Sequence, residues 1–129
     1  MKVLAVIPAR GGSKGVKKKN LLKINNKSLV NISISQAKAS KYISKIVLSS
    51  DSSSILKEGI KAGCKYCIRR PKNLSGDKDS IFKVIKHSTD WFWQNHSWTP
   101  DIIALILPTT PLRPLWHIDE CLKKLIKTK

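Results

Sequence analysis

Thirteen residues near the amino end, Pro8-Ala9-Arg10-Gly11-Gly12-Ser13-Lys14-Gly15-Val16-Lys17-Lys18-Lys19-Asn20, hold the residue types best suited to chemistry. Glycine lets the backbone turn through positive φ, so successive N–H groups can point at one anion, the arrangement that cradles phosphates. Arg10, Lys14 and Lys19 could then neutralise a triphosphate. Each charge-assisted hydrogen bond of that kind is worth about 1.5 to 3 kcal/mol. Two well-known phosphate loops are excluded by spacing. A Walker A loop needs Gly-Lys followed by Ser or Thr, whereas Gly15 follows Lys14. The glycines at 11, 12 and 15 do not supply Gly-x-Gly-x-x-Gly either. The same residues also fit a basic loop with no ligand.

The elements around this loop follow from apolar patterning. Lys2 to Ile7, rich in β-branched residues and closed by Pro8, reads as a buried strand. After the Asn25-Asn26 turn, a helix is expected from Ser28 to Tyr42, with Leu29, Ile32, Ala37 and Val30 as its apolar positions. Lys45 to Ser49 reads as a second strand. Asp51 or Ser52 can cap a helix from Ser53 to Ala62 that stops at Gly63. Tyr66 to Arg69 reads as a third strand and Arg70 to Asp79 as a loop. Ile81, Val84, Ile85, Ser88 and Phe92 then mark a helix from about Ser80 to Trp93. Ile102 to Leu107 is the fourth strand, Pro108 to Pro114 a loop, and Leu115, Ile118, Leu122, Leu125 and Ile126 one face of a last helix. Strands apolar on both faces, alternating with helices, predict a three-layer α/β domain with a largely parallel sheet. Ligands in such sheets collect beyond the carboxyl ends of the strands, here the loops after Ile7, Leu48, Arg69 and Leu107.

The chain has 129 residues, which predicts a single domain over 1–129 with enough surface to bury for a core of its own. The longest apolar run, Ile102 to Leu107, is too short to span a membrane, and no secretory signal is read. Three cysteines, an odd number, fit free thiols in the cytoplasm. There are 25 Lys and Arg against 8 Asp and Glu, a formal charge of +17, and the first 50 residues hold 11 cations and no carboxylate. The partner is expected to be an anion, although charge alone does not choose among nucleotides, phosphosugars and nucleic acids.

Other motifs read as structural. Cys64-Lys65-Tyr66-Cys67 has one Cys-x-x-Cys spacing and no second pair, so these are expected to be core or edge thiols rather than zinc ligands. His87, His96 and His117 belong to no nucleophile pattern. Asp51 could cap the following helix or approach a metal. Trp91, Phe92, Trp93 and Trp98 are expected in the core or at a subunit contact rather than as a base-stacking platform.

Taken together, Ile7-Pro8-Ala9-Arg10-Gly11-Gly12-Ser13-Lys14-Gly15 with Lys19-Asn20-Leu21 resembles the signature of the acylneuraminate cytidylyltransferases, the CMP-sialic acid synthetases. Val47-Leu48-Ser49-Ser50-Asp51, Arg70-Pro71 with Leu74 and Asp77, and Leu107-Pro108-Thr109-Thr110-Pro111-Leu112-Arg113 are similar to further stretches of that family, in the same order. Leu107 stands where the family carries Gln, and Lys78, Asp79 and Ile81 where it carries small residues. The resemblance implies a Rossmann-like nucleotide-diphospho-sugar transferase fold. It also implies a nucleotidyltransferase that moves a cytidylyl group from CTP to a nonulosonic acid, giving a CMP-sugar and pyrophosphate.

By the same resemblance, Arg10 and Lys19 would be catalytic. Ala9, Arg10, Gly11, Gly12, Ser13, Lys14, Lys19, Asn20, Arg70 and Ser80 would bind the nucleotide, with Asn20 and Arg70 on the cytidine portion. Pro108, Thr109, Thr110 and Arg113 would border the sugar acid. Mg²⁺ is implied as cofactor, with its usual Asp pair, further sugar contacts and a dimerisation element lying in a portion of the family's length beyond Lys129. The chain is therefore expected to correspond to the N-terminal part of such an enzyme. A homodimer is compatible with the family, although this chain lacks the element expected to form it. The alternatives are a truncated remnant that at most binds nucleotide, and a basic module for polyanions or nucleic acid. The latter is disfavoured by the absence of RNA-recognition and helix-turn-helix patterns.

Overall fold

The computed structural model describes residues 1–9, 23–24, 27–71, 81–108 and 115–127, and the structural statements below concern those residues. β1 (Val3–Pro8) is apolar on both faces because it is an inner strand of its sheet, flanked by β4 (Lys45–Ser50) and β6 (Ile102–Leu105). With β5 (Tyr66–Arg69) outside β4, the order is β5-β4-β1-β6 and every pair is parallel. Leu4 pairs with Lys45 and with Ile103, and the register runs on to Pro8 opposite Ser49. A two-stranded antiparallel ladder, β2 (Lys23–Ile24) with β3 (Lys27–Ser28), brackets the expected Asn25-Asn26 turn, which itself lies outside the described residues.

Side-chain alternation along β1 divides the core into two layers. Val3, Ala5 and Ile7 meet α1 (Leu29–Lys38), α2 (Ser53–Lys61) and α4 (Leu115–Lys127) through Val30, Ile34, Ile55, Ile118 and Leu122. Leu4 and Val6 face the other way, with Val47, Ile68 and Phe92 of α3 (Ile81–His96). This is the expected three-layer α/β/α domain. Phe92 is fully buried, with the Tyr66 ring 4.9 Å and the Trp91 ring 5.1 Å away in edge-on contact. Trp98 joins them at 5.4 Å, whereas Trp93 stays 60% exposed and outside the core.

Element ends depart from the sequence reading for identifiable reasons. α1 stops at Lys38 rather than Tyr42 because side chains capture the next backbone donors. Lys41 N–H donates to Asp119 at 3.3 Å and Tyr42 N–H to Ser40 Oγ at 3.2 Å. Its inward positions include Ile34, while Ile32 is half-buried. Ser52, not Asp51, caps α2, its hydroxyl accepting from Ile55 N–H at 3.4 Å. The helix ends at Lys61, with Gly63 in the left-handed region at φ +88° as a glycine permits. β6 ends at Leu105, not Leu107. Ile106 N–H still donates to Val6 O, but Pro8 has no N–H to continue the ladder. α3 runs to His96, whose ring lies 5.4 Å from that of Tyr66, and Ser97 at φ 49° turns the chain away.

α2 lies against the sheet at Gly59, where an added Cβ would stand 2.3 Å from Leu48 Cδ2 and 3.1 Å from Cys67 Sγ. Gly59→Ala is expected to lower stability on the order of 1 kcal/mol in urea titration, overpacking against the fully buried Leu48 outweighing the better helix propensity of alanine.

Candidate functional site

Because all four strands run parallel, their carboxyl ends share one edge. Ala9, the first residue after β1, is 1% exposed and donates its N–H to Ser49 O at 3.0 Å. The glycine-rich segment therefore departs from a point pinned to β4. One strand further, Arg70 N–H donates to Ser50 O at 3.0 Å, so the arginine leaves β5 level with the end of β4. Arg70 is 5% exposed. A guanidinium offers a planar fork of donors that matches carboxylate and phosphate oxygens. On the opposite side of β1, Pro108 is buried in the turn after β6. Ala9, Arg70 and Pro108 thus stand at one edge of the sheet, as their positions in the sequence predict.

Arg10, Gly11, Gly12, Ser13, Lys14, Lys19, Asn20, Ser80, Thr109, Thr110 and Arg113 lie outside the described residues. The described chain resumes at Ile81, directly after Ser80, as the first residue of α3.

Two side chains that sequence reasoning passed over belong to this edge. Arg69 Nη1 donates to Asp51 O at 2.9 Å, and its Nη2 donates to Ser53 Oγ, so Arg69 ties the end of β5 to the start of α2. With Asp51, Arg70 and Pro71 it lines a cavity of about 360 Å³. The signal available in the sequence was the doubled arginine at a strand end. Ser49 is fully buried, and its hydroxyl has no hydrogen-bond partner among the described residues. A buried hydroxyl without a partner carries a desolvation cost, so Ser49→Ala is expected to raise stability by about 1 kcal/mol, read as a higher denaturation midpoint.

Among the described residues, the donor set does not suit a resident Mg²⁺. No three His, Cys, Asp or Glu side chains come together among the described residues, and Asp51 shares its cavity with two arginines. Mg²⁺ is commonly held by one or two carboxylates together with substrate phosphates. No described helix is long and apolar enough to cross a membrane. What the edge offers chemically is a buried guanidinium and a second arginine, a donor set suited to an anion.

The cytidylyltransferase family model matches residues 4–112. An N-acylneuraminate cytidylyltransferase of Escherichia coli is 35% identical over 122 residues, covering 95% of this chain and 28% of that protein. A pseudaminic acid cytidylyltransferase of Campylobacter jejuni is 33% identical over 129 residues, covering 100% of this chain and 55% of that protein. Among solved structures, CMP:2-keto-3-deoxy-manno-octonic acid synthetase complexed with CTP superposes with a TM-score of 0.80 at 19% identity, over 98% of this chain and 48% of its own. The chain thus spans about half the length of these relatives, or less.

Proposed function

From the premise that the chain belongs to the cytidylyltransferase family, we propose that it is the nucleotide-binding part of an enzyme transferring a cytidylyl group from CTP to a nonulosonic, sialic-type acid. In that reaction the anomeric hydroxyl of the sugar acid attacks the α-phosphorus, the bond to the β-phosphate oxygen breaks, and pyrophosphate leaves. Such chemistry asks the protein mainly for positioning and for cations where negative charge builds.

In this reading Arg10 and Lys19 stabilise the leaving pyrophosphate, and Ala9, Gly11, Gly12, Ser13 and Lys14 hold the triphosphate. Asn20, Arg70 and Ser80 receive the cytidine portion, while Pro108, Thr109, Thr110 and Arg113 border the acid. Mg²⁺ would accompany the triphosphate, as is usual for CTP-dependent transfer. One observation carries the reading: Ala9, Arg70 and Pro108, from three separated stretches of sequence, stand at a single edge of a parallel sheet. In this reading the phosphates lie on the β1 side and the nucleoside toward β5.

Isothermal calorimetry with Mg²⁺ tests it. Saturable CTP binding, clearly tighter than ATP or GTP, is the expected result, and equal affinities would refute the cytidylyl assignment. The +17 charge favours polyanion binding as a second reading. That reading requires retention on immobilised DNA with a steep salt dependence.

A further inference from the structure

The nucleotide reading leaves one pair of reactive side chains unused, the thiols of Cys64 and Cys67. Residues three apart in an unbroken strand face opposite sides of the sheet. Here the chain turns at Gly63 (φ +88°) and bends at Lys65 before β5 begins, which brings both cysteines into the same layer of the core. The Cys67 thiol lies 3.5 Å from Cys64 O, which sets the two side chains next to each other in one cluster. Cys64 Sγ is 3.4 Å from Tyr66 O.

Burial does not seal the pair. Cys64, 6% exposed, borders a surface cavity of about 290 Å³ lined also by Lys38, Lys65 and Tyr66. Lys38 Nζ lies 2.5 Å from where a Cβ on Gly63 would stand, so the absent side chain of that glycine lets an ammonium group settle beside Cys64. Two contacting thiols, a neighbouring cation and an opening wide enough for a small oxidant are the ingredients of a reactive dithiol.

We propose that Cys64 and Cys67 form an oxidation site for hydroperoxides, with Cys64 attacking and Cys67 resolving, that closes to an intrachain disulfide. In the first step the Cys64 sulfur attacks an oxygen of the peroxide. An S–O bond forms, the O–O bond breaks, and the departing oxygen takes the thiol proton to leave as alcohol, or as water from hydrogen peroxide. In the second step the Cys67 sulfur attacks the Cys64 sulfur. The S–S bond forms, the S–O bond breaks, and hydroxide leaves as water with the Cys67 proton. Two thiols lose two electrons in total, and the peroxide gains them.

The division of roles agrees with the surroundings. The hydrogen bond from Cys67 holds the Cys64 thiol below its ordinary range, with help from backbone groups and Lys38, against the opposing effect of burial. The same contact, burial and the Cys64 charge push Cys67 up, which keeps it a proton-bearing thiol. Cys121 stands apart from the pair, exposed on α4.

The experiment uses the Cys121→Ser chain, treated with hydrogen peroxide near neutral pH, quenched, denatured and alkylated, with intact mass as readout. The expected product has lost two hydrogens, takes no alkyl group, and recovers both alkylation sites after dithiothreitol. Adding Cys67→Ser should stop the reaction at a dimedone-trapped sulfenic acid, whereas adding Cys64→Ser should slow oxidation by about tenfold or more. Retention of two alkylatable thiols under conditions that oxidise glutathione would overturn the proposal, as would oxygen addition without loss of two hydrogens. Equal oxidation rates in the two serine variants would overturn the assignment of roles. The Cys121→Ser readout stands even if a serine at 64 or 67 prevents folding, and none of these outcomes depends on CTP binding.

Discussion

Phe92→Ala is expected to cost about 3 to 5 kcal/mol, measured by urea denaturation with tryptophan fluorescence and far-UV circular dichroism. The ring is fully buried, and it is the member of the α3 layer on which Tyr66, Trp91 and Trp98 converge. Truncation would remove its apolar area from the core and leave a space walled by large rigid rings, which relax poorly into it. Against a typical total stability of about 5 to 15 kcal/mol, that is a large fraction, and a broadened or absent folding transition is the corresponding observation at the lower end. Phe82, the second residue of the same helix and 77% exposed, is the control: Phe82→Ala should stay within about 0.5 kcal/mol of the parent. Similar costs for the two substitutions would show that the aromatic layer contributes little beyond its helix.

For ligand binding, the largest effect is expected from Arg10→Ala. If the segment after Ala9 receives a triphosphate, Arg10 contributes a charge-assisted hydrogen bond worth about 1.5 to 3 kcal/mol, which converts to roughly a tenfold to hundredfold weaker CTP affinity. Calorimetry would read the loss directly, with an unchanged circular dichroism spectrum as the check that the fold is kept. Lys123→Ala, on exposed α4, should leave affinity as it was. A parent chain that binds CTP and an Arg10→Ala chain that binds it equally well would remove Arg10 from the phosphate site.

How far the sequence reached depends on which force decides each feature. β5 and the body of α2 are set by local pattern and a capping serine, and both are legible from residue order. The end of α1 is not, because Asp119, far along the chain, supplies the acceptor that draws Lys41 out of the helix. The end of β6 was hidden for a similar reason: the missing donor belongs to Pro8 on the neighbouring strand. At the site, Ala9, Arg70 and Pro108 were legible because strand ends of a parallel sheet gather at one edge. Ser49 was not, since alternation marks a position as inward but says nothing about whether its hydroxyl finds a partner. Cys64, buried, and Cys67, half-buried, fit the expectation of core or edge thiols, whereas the bend at Lys65 that brings them into one layer is a tertiary outcome.

The placement of β1 between β4 and β6 also governs how the molecule is made. The strand synthesised first is flanked on one side by residues beginning at Lys45, but on the other only by residues beginning at Ile102. At translation rates of about 5 to 20 residues per second, the nascent chain holds one side of its central strand open for several seconds after the other side can pair. During that interval the backbone donors and acceptors along Val3 to Val6 are exposed to any passing polypeptide, so ribosome-associated chaperones would find their target in β1, well behind the newest residues.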